Sequence, residues 1–379
     1  MPRGLIKYVF PICFALYVMK LPAQNAYLSG QLISWCYFSE KGWSQTLLGL
    51  QYISTFSLEK YVSEQDMIDG ELALHFNISG FPDSLKSFER HSKIEPYRLW
   101  LRYSSTQFEV RAGLQKINFG SATLIRPLMW FERMDPRDPL QLAEGVYGIL
   151  FRYYFLNNAN VWLWGLFGNQ GTKGWETLST YDQVPEYGAR MQTPFLNGEI
   201  ALSYHGRKVA KNENLGITEE FAENRLGIDG KWDYEIGIWL EAVHVTKNSN
   251  EIFYKHDQLL NLGLDYTFAL GNGLHLLTEY FLSNKSNEFF GSGPTIRMSG
   301  LLADYRLGLL DYLIAVFFYD LGNKDSYRFL SWQRSYDNWS IYLNFFWNPE
   351  YARLGHINDF SSTSFGSGKG LQIMIVFNH

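Results

Sequence analysis

The dominant pattern after residue 26 is a period of two. In segments of about ten residues, apolar side chains alternate with polar or small ones, and polar or Gly/Asn/Asp-rich turns separate the segments. Trp232 to Ala242 sets Tyr234, Ile236, Ile238, Leu240 and Ala242 against Asp233, Glu235, Gly237, Trp239 and Glu241. The next segment sets Leu260, Leu262, Leu264, Tyr266, Phe268 and Leu270 against Asn261, Gly263, Asp265, Thr267 and Ala269. Gly271-Asn272-Gly273 then reverses the chain, and Leu274, Leu276, Thr278 and Tyr280 face away from His275, Leu277, Glu279 and Phe281. The same alternation runs through residues 71–78, 97–103, 199–205 and 371–378.

Trp339, Ile341, Leu343, Phe345 and Trp347 form a stripe with tryptophan at both ends. Indole rings prefer the headgroup zone of a bilayer, so this stripe matches a strand crossing from one interface to the other. Strands of a soluble sandwich are commonly about five or six residues with a charged outer face; these run longer and end in aromatics. The expected fold is all-β, a transmembrane antiparallel β-barrel of roughly 16 to 18 strands.

Composition supports this. Aromatic residues make up 17% of the 379 residues, more than a soluble core requires and suited to a lipid-facing band. The net charge of −5, without Lys/Arg clusters, excludes a nucleic-acid surface. Arg3 and Lys7, the apolar run Val9 to Met19 and the small residues around Ala23 to Ala26 predict a secretory signal over residues 1–26. The run is shorter than the roughly 20 residues a spanning helix needs, and Pro11 interrupts it. Residues 27–379 are then one barrel domain, in which Cys36 is unpaired once Cys13 is removed. Outer loops are expected at 57–66, 83–93, 208–223, 247–255, 284–294 and 348–370, with short periplasmic turns at Asn157-Asn158 and 271–273.

One stretch breaks the alternation. Residues 118–144 hold Pro127, Pro136 and Pro139, which exclude a central strand. Folded inward, this segment would be a constriction in which Arg126, Glu132, Arg133, Asp135, Arg137 and Asp138 set a transverse field. Lumen-lining positions are expected at Arg98, Arg102, Glu109, Arg111, Asp233, Glu235, Glu241, Asp265 and Glu279.

The strand around Arg111, Gly113, Gln115, Ile117 and Gly120 reads R-x-G-x-Q-x-I-x-x-G, and the loop Asp135-Pro136-Arg137-Asp138-Pro139 and the return Gly145-Val146-Tyr147-Gly148 follow. This element resembles one found in porin-like and alginate-export-like barrels of Gram-negative outer membranes. Pro185 to Arg190 and the aromatic-rich remainder resemble uncharacterised barrels of the Bacteroidota envelope. The resemblance implies an outer-membrane channel. The alginate exporter's arginine-rich lumen is not reproduced, because the inner faces here mix both signs of charge. The last strand also departs from the usual barrel, placing Phe377 two residues before His379.

Chemistry beyond transport has little to stand on. His75, His205 and His275 fall on the inner face, Ser203 and His205 are mere strand neighbours, and no G-x-S-x-G elbow occurs. Neither paired cysteines nor an H-x-x-x-H spacing is present, so no metal or cofactor is expected. The leading expectation is a porin-like channel for small polar solutes that contacts outer-membrane lipid. The alternatives are a non-conducting barrel that partners other envelope proteins in polysaccharide or protein export, with Trp100, Trp239, Phe281 and Phe346 filling its bore, and an envelope hydrolase.

Overall fold

The computed structural model describes residues 25–40, 46–84, 87–349 and 368–379, with side chains of strand residues 81–84 and 87–90 left aside. The signal expected over residues 1–26, apart from Asn25 and Ala26, lies outside these residues, as does most of the 348–370 loop.

Eighteen antiparallel strands form one closed sheet. In chain order they are β1 (Asn25–Ser39), β2 (Leu47–Tyr61), β3 (Met67–Ser84), β4 (Ser87–Ser104), β5 (Phe108–Gln115) and β6 (Val146–Tyr154). Then come β7 (Asn160–Leu166), β8 (Glu186–Phe195), β9 (Gly198–Val209), β10 (Phe221–Asp233), β11 (Gly237–Lys247) and β12 (His256–Phe268). The last six are β13 (Leu274–Ser286), β14 (Thr295–Arg306), β15 (Asp311–Asp320), β16 (Asp325–Ser335), β17 (Trp339–Trp347) and β18 (Lys369–Asn378). Each strand pairs with its sequence neighbours, and β18 pairs with β1 from Gln31↔Asn378 to Ser39↔Gly370. Closure leaves no free edge, the condition for a sheet in lipid, where unpaired backbone groups find no water.

The alternation in the chain becomes the two faces of this wall. On β12, Leu262, Leu264, Tyr266 and Phe268 are exposed, whereas Leu259, Asn261 and Gly263 are buried. Trp339 and Trp347 stand exposed at opposite ends of β17. Beyond Phe377, His379 continues the β18–β1 ladder by exchanging backbone hydrogen bonds with Gly30 at 2.9 and 3.0 Å.

Both termini of the described barrel lie at one end, together with the short connections 155–159, 196–197, 234–236 and 269–273. The long connections 116–145, 167–185, 210–220 and 248–255 lie at the other. Two expected loops are corrected: residues 57–61 belong to β2, and 83–93 lie largely in the 18-residue strands β3 and β4. Those strands outrun the about 9–11 residues that cross a bilayer, so their outer parts carry loop-like polar residues while paired. The expected strand 232–242 is also two strands, with a turn at residues 234–236. Tyr234, Ile236 and Ile238 keep the alternation going straight through that turn, which hid it.

The core sits inside the barrel. Trp239, Phe281, Met298, Phe318, Phe329 and Phe346 project inward and are almost fully buried, packed with apolar side chains of the 116–145 segment.

Candidate functional site

The chain leaves the wall at Gln115, and two glycines make the departure possible. Gly113 has φ of +121°, and a Cβ there would lie 2.1 Å from the Leu99 carbonyl oxygen. Gly120 has φ of +99°, and a Cβ there would meet Glu241 Oε1 at 2.3 Å. Only glycine permits both the left-handed backbone and the close approach. Compact turns follow, with Met129 N donating to Arg126 O (3.1 Å) and Asp138 N to Asp135 O (3.0 Å).

This segment buries Phe119, Leu124, Ile125, Leu128, Trp130 and Phe131 against the inner wall. Phe119 stacks on Trp164 with ring centroids 5.6 Å apart. Having no ladder partners, its amides need acceptors. Two strand carboxylates supply them. Glu241 accepts from Ala122 N (2.7 Å) and Leu128 N (3.0 Å). Glu279 accepts from Thr123 N (2.6 Å), Leu124 N (3.1 Å) and Ile125 N (2.8 Å). Asn261 links Glu279 to the segment, donating to Ile125 O (2.7 Å) and to Glu279 (2.9 Å). The return path packs Leu140 and Leu142 near Ile33, Trp35 and Met374, and Arg98 donates to Ala143 O at 2.8 Å. The segment therefore crosses the interior, held on several walls.

The residues expected to face a bore are placed differently. Arg126 and Glu132 are buried and paired at 2.7 Å, with Lys116 also on Glu132 at 3.3 Å. Asp135 and Arg137 pair with each other at 2.7 Å, both buried. Arg133 donates to Thr172 Oγ1. Asp138 accepts from Leu140 N at 3.0 Å, and burial pushes its carboxyl up to about 6. Arg126, Lys116, Glu132, Asp135 and Arg137 thus satisfy one another as ion pairs, because an unpaired buried charge is costly, while Arg133 and Asp138 rest on a hydroxyl and a backbone amide.

Of the expected lumen residues, Glu241 and Glu279 are anchors of the segment rather than a lining. Asp233 and Glu235 are exposed at the β10–β11 turn, a consequence of the turn at 234–236. Asp265 sits near the same end, 3.3 Å from His275, which also contacts Asp304 at 2.6 Å. The β3–β6 wall carries the remainder. Arg102 makes a two-pronged contact with Asp69 at 2.9 and 2.8 Å. Glu109 draws Arg102 at 3.3 Å, Arg152 at 2.9 Å and Arg111 at 4.0 Å. Arg111 lies over the Trp100 ring and Arg152 over Trp162. The side chains of Arg102, Arg111 and Arg152 keep 25%, 15% and 17% of their surface.

Sequence reading missed a second inward segment, residues 167–185. Its Lys173, Glu176 and Thr180 enter a buried network with Glu186, His205, Arg207, Glu223 and Arg225. Arg207 pairs with Glu223 at 2.7 Å and Arg225 with Glu176 at 2.8 Å. Trp164 Nε1 donates to His205 Nδ1 at 3.2 Å, so the proton on Nε2 faces Glu186, also at 3.2 Å. Ser203 accepts from Arg190 (3.0 Å) and is no partner of His205. Arg207 and Arg225, unlike the arginines of the β3–β6 wall, keep 4% of their surface or less. The available signal was the charge pair Lys173/Glu176 around Trp175 in an otherwise small-residue stretch.

No known family profile matches the chain, and no curated protein matches it in sequence. Solved structures do match in shape. OccAB1 of Acinetobacter baumannii aligns with a TM-score of 0.59 at 8% identity, over 94% of this chain and 98% of that one. OccK10 (OpdN) of Pseudomonas aeruginosa aligns with a TM-score of 0.58 at 10% identity, over 94% and 99%. OmpF of Salmonella typhi, solved with daunomycin, aligns with a TM-score of 0.51 at 12% identity, over 93% and 97%. At such identities the likeness establishes the fold alone, a closed antiparallel β-barrel like theirs.

Proposed function

We propose that this chain is an outer-membrane channel for small polar solutes, narrowed by residues 116–145, and that residues 1–26 direct it to the envelope and are removed. The observation that carries the reading is an asymmetry of the interior. The segment is fixed to β11 and β13 by Glu241 and Glu279, while Arg102, Arg111 and Arg152 on the β3–β6 wall stay accessible. Water-filled pores are lined by such partly solvated charges, and a fully packed plug would bury them.

The lumen charge is mixed in this reading. Asp69 and Glu109 stand among the arginines, so the wall suits solutes of modest charge and argues against the anionic polysaccharide an alginate exporter carries. The field belongs to the wall; the paired charges of the segment give its body rigidity.

Planar-bilayer recording of the purified barrel tests this. Steady conductance that rises when residues 121–143 are deleted is the expected result. A barrel that inserts and stays silent at all voltages sinks it.

A further inference from the structure

Between the lumenal segment and the inner face of β10–β14 lies a cavity of about 250 Å³. An apolar cavity of about 150 Å³ takes benzene, so this one has room for a ring or branched side chain and a short polar head. Its body is apolar: Trp130, Val243, Val245, Leu259, Phe281 and Met298 line it. Trp175 closes one side, stacked on Phe281 at 5.2 Å and fixed by an Nε1–H hydrogen bond to Arg126 O at 2.7 Å.

The charges around the cavity are unevenly spent. Arg225 is engaged by both Glu176 and Glu223. Lys247 is engaged by Asp257 Oδ2. Two groups are left at the loop end. Asp257 Oδ1 is buried without a hydrogen-bond partner. Lys285 lines the cavity, and its ammonium has no acidic partner among the described residues. These two residues face each other directly in the β12–β13 register. An unspent acceptor and an unspent cation on adjacent strands thus head an apolar cavity.

We propose that this cavity binds a zwitterionic apolar solute of the α-amino-acid class, which rests on the channel reading and names a substrate class for it. The ammonium goes to Asp257, the carboxylate to Lys285, and the apolar side chain to the pocket between Trp130 and Phe281. A simple carboxylate would satisfy Lys285 while facing the Asp257 carboxylate, and a simple amine would do the reverse. Only a solute carrying both charged groups on one carbon completes both residues. A few convergent polar groups over an apolar concavity are the usual form of a small-molecule site.

The test is calorimetric titration of the full-length barrel in detergent with L-phenylalanine, 3-phenylpropionate and 2-phenylethylamine, alongside salt conductance in bilayers. Saturable binding of L-phenylalanine is expected, with each single-charge analogue weaker by about tenfold or more. Lys285→Met should lose about tenfold and Lys285→Arg should restore it, in proteins that keep the folded barrel's gel mobility. Absence of saturable binding by any of the three overturns the site. Equal affinity for phenylalanine and phenylpropionate also overturns it, since the cavity would then be an anion pocket. Binding with no salt conductance keeps the site and sinks the channel; conductance without binding does the opposite.

Discussion

Glu279 holds Ile125: its Oε2 lies 2.8 Å from the amide nitrogen of a residue 154 positions earlier in the chain. With Thr123 and Leu124 on the other oxygen, one carboxylate collects three successive amides. Hydrogen bonds to a charged acceptor are worth about 1.5–3 kcal/mol each, so this contact decides where the segment sits. Glu279→Gln keeps the shape and removes the charge. The expected outcome is a segment destabilised by about 2–3 kcal/mol, seen as faster proteolysis within residues 116–145 and a larger, noisier conductance. A variant with wild-type conductance and cleavage would show that the anchor does not set the bore.

Gly120 is where backbone and anchor meet. Gly120→Ala puts a methyl group 2.3 Å from Glu241 Oε1 and asks an L-residue to hold φ of +99°. A loss of about 2–3 kcal/mol is expected in denaturant unfolding, from strain and the displaced carboxylate together. Gly165→Ala is the matched control, because a Cβ there meets nothing within 4 Å. Equal midpoints for the two variants would refute the argument.

Glu109 neutralises a wall of arginines. Glu109→Gln removes the carboxylate shared by Arg102 and Arg152 and neighbouring Arg111, and leaves their charges without it. The reversal potential in a KCl gradient should move toward chloride, with the chloride-to-potassium permeability ratio rising about two- to fivefold. An unchanged reversal potential would mean that ions do not pass this wall.

Asp138 supplies a pH dependence. Burial raises its carboxyl from 3.8 to about 6 in the folded protein. Between these values the folded chain holds a proton that the unfolded chain has lost. Stability therefore falls as pH rises from about 4 to 6 and is level above, the change being at most about 3 kcal/mol. Asp138→Asn should flatten that slope when unfolding midpoints are compared at pH 4 and pH 7. A slope that persists in the variant belongs to other groups.

The wall was legible in the sequence because a two-residue period admits few alternatives. The stripe from Trp339 to Trp347 and the two faces of β12 follow directly from it. Besides the inward course of residues 167–185, three things were not legible, each for a physical reason. The turn at 234–236 keeps apolar residues in phase, so periodicity runs through it. The outer parts of β3 and β4 are paired but polar, and so resemble loop. The roles of Glu241 and Glu279 depend on amides more than 100 residues away, and a carboxylate on an inner face looks the same whether it meets water or backbone.

The same carboxylates fix an order of events. Residues 122–128 can dock only after the strands bearing Glu241 and Glu279 exist in register, and both are made more than 100 residues later in the chain. Contacts of such sequence separation form late, because their loop-closure entropy is spent before they return anything. The wall must therefore largely assemble around an unfilled interior. The segment then seats as an event separate from hairpin formation, and until Glu241 and Glu279 are in place the interior it crosses stays unfilled.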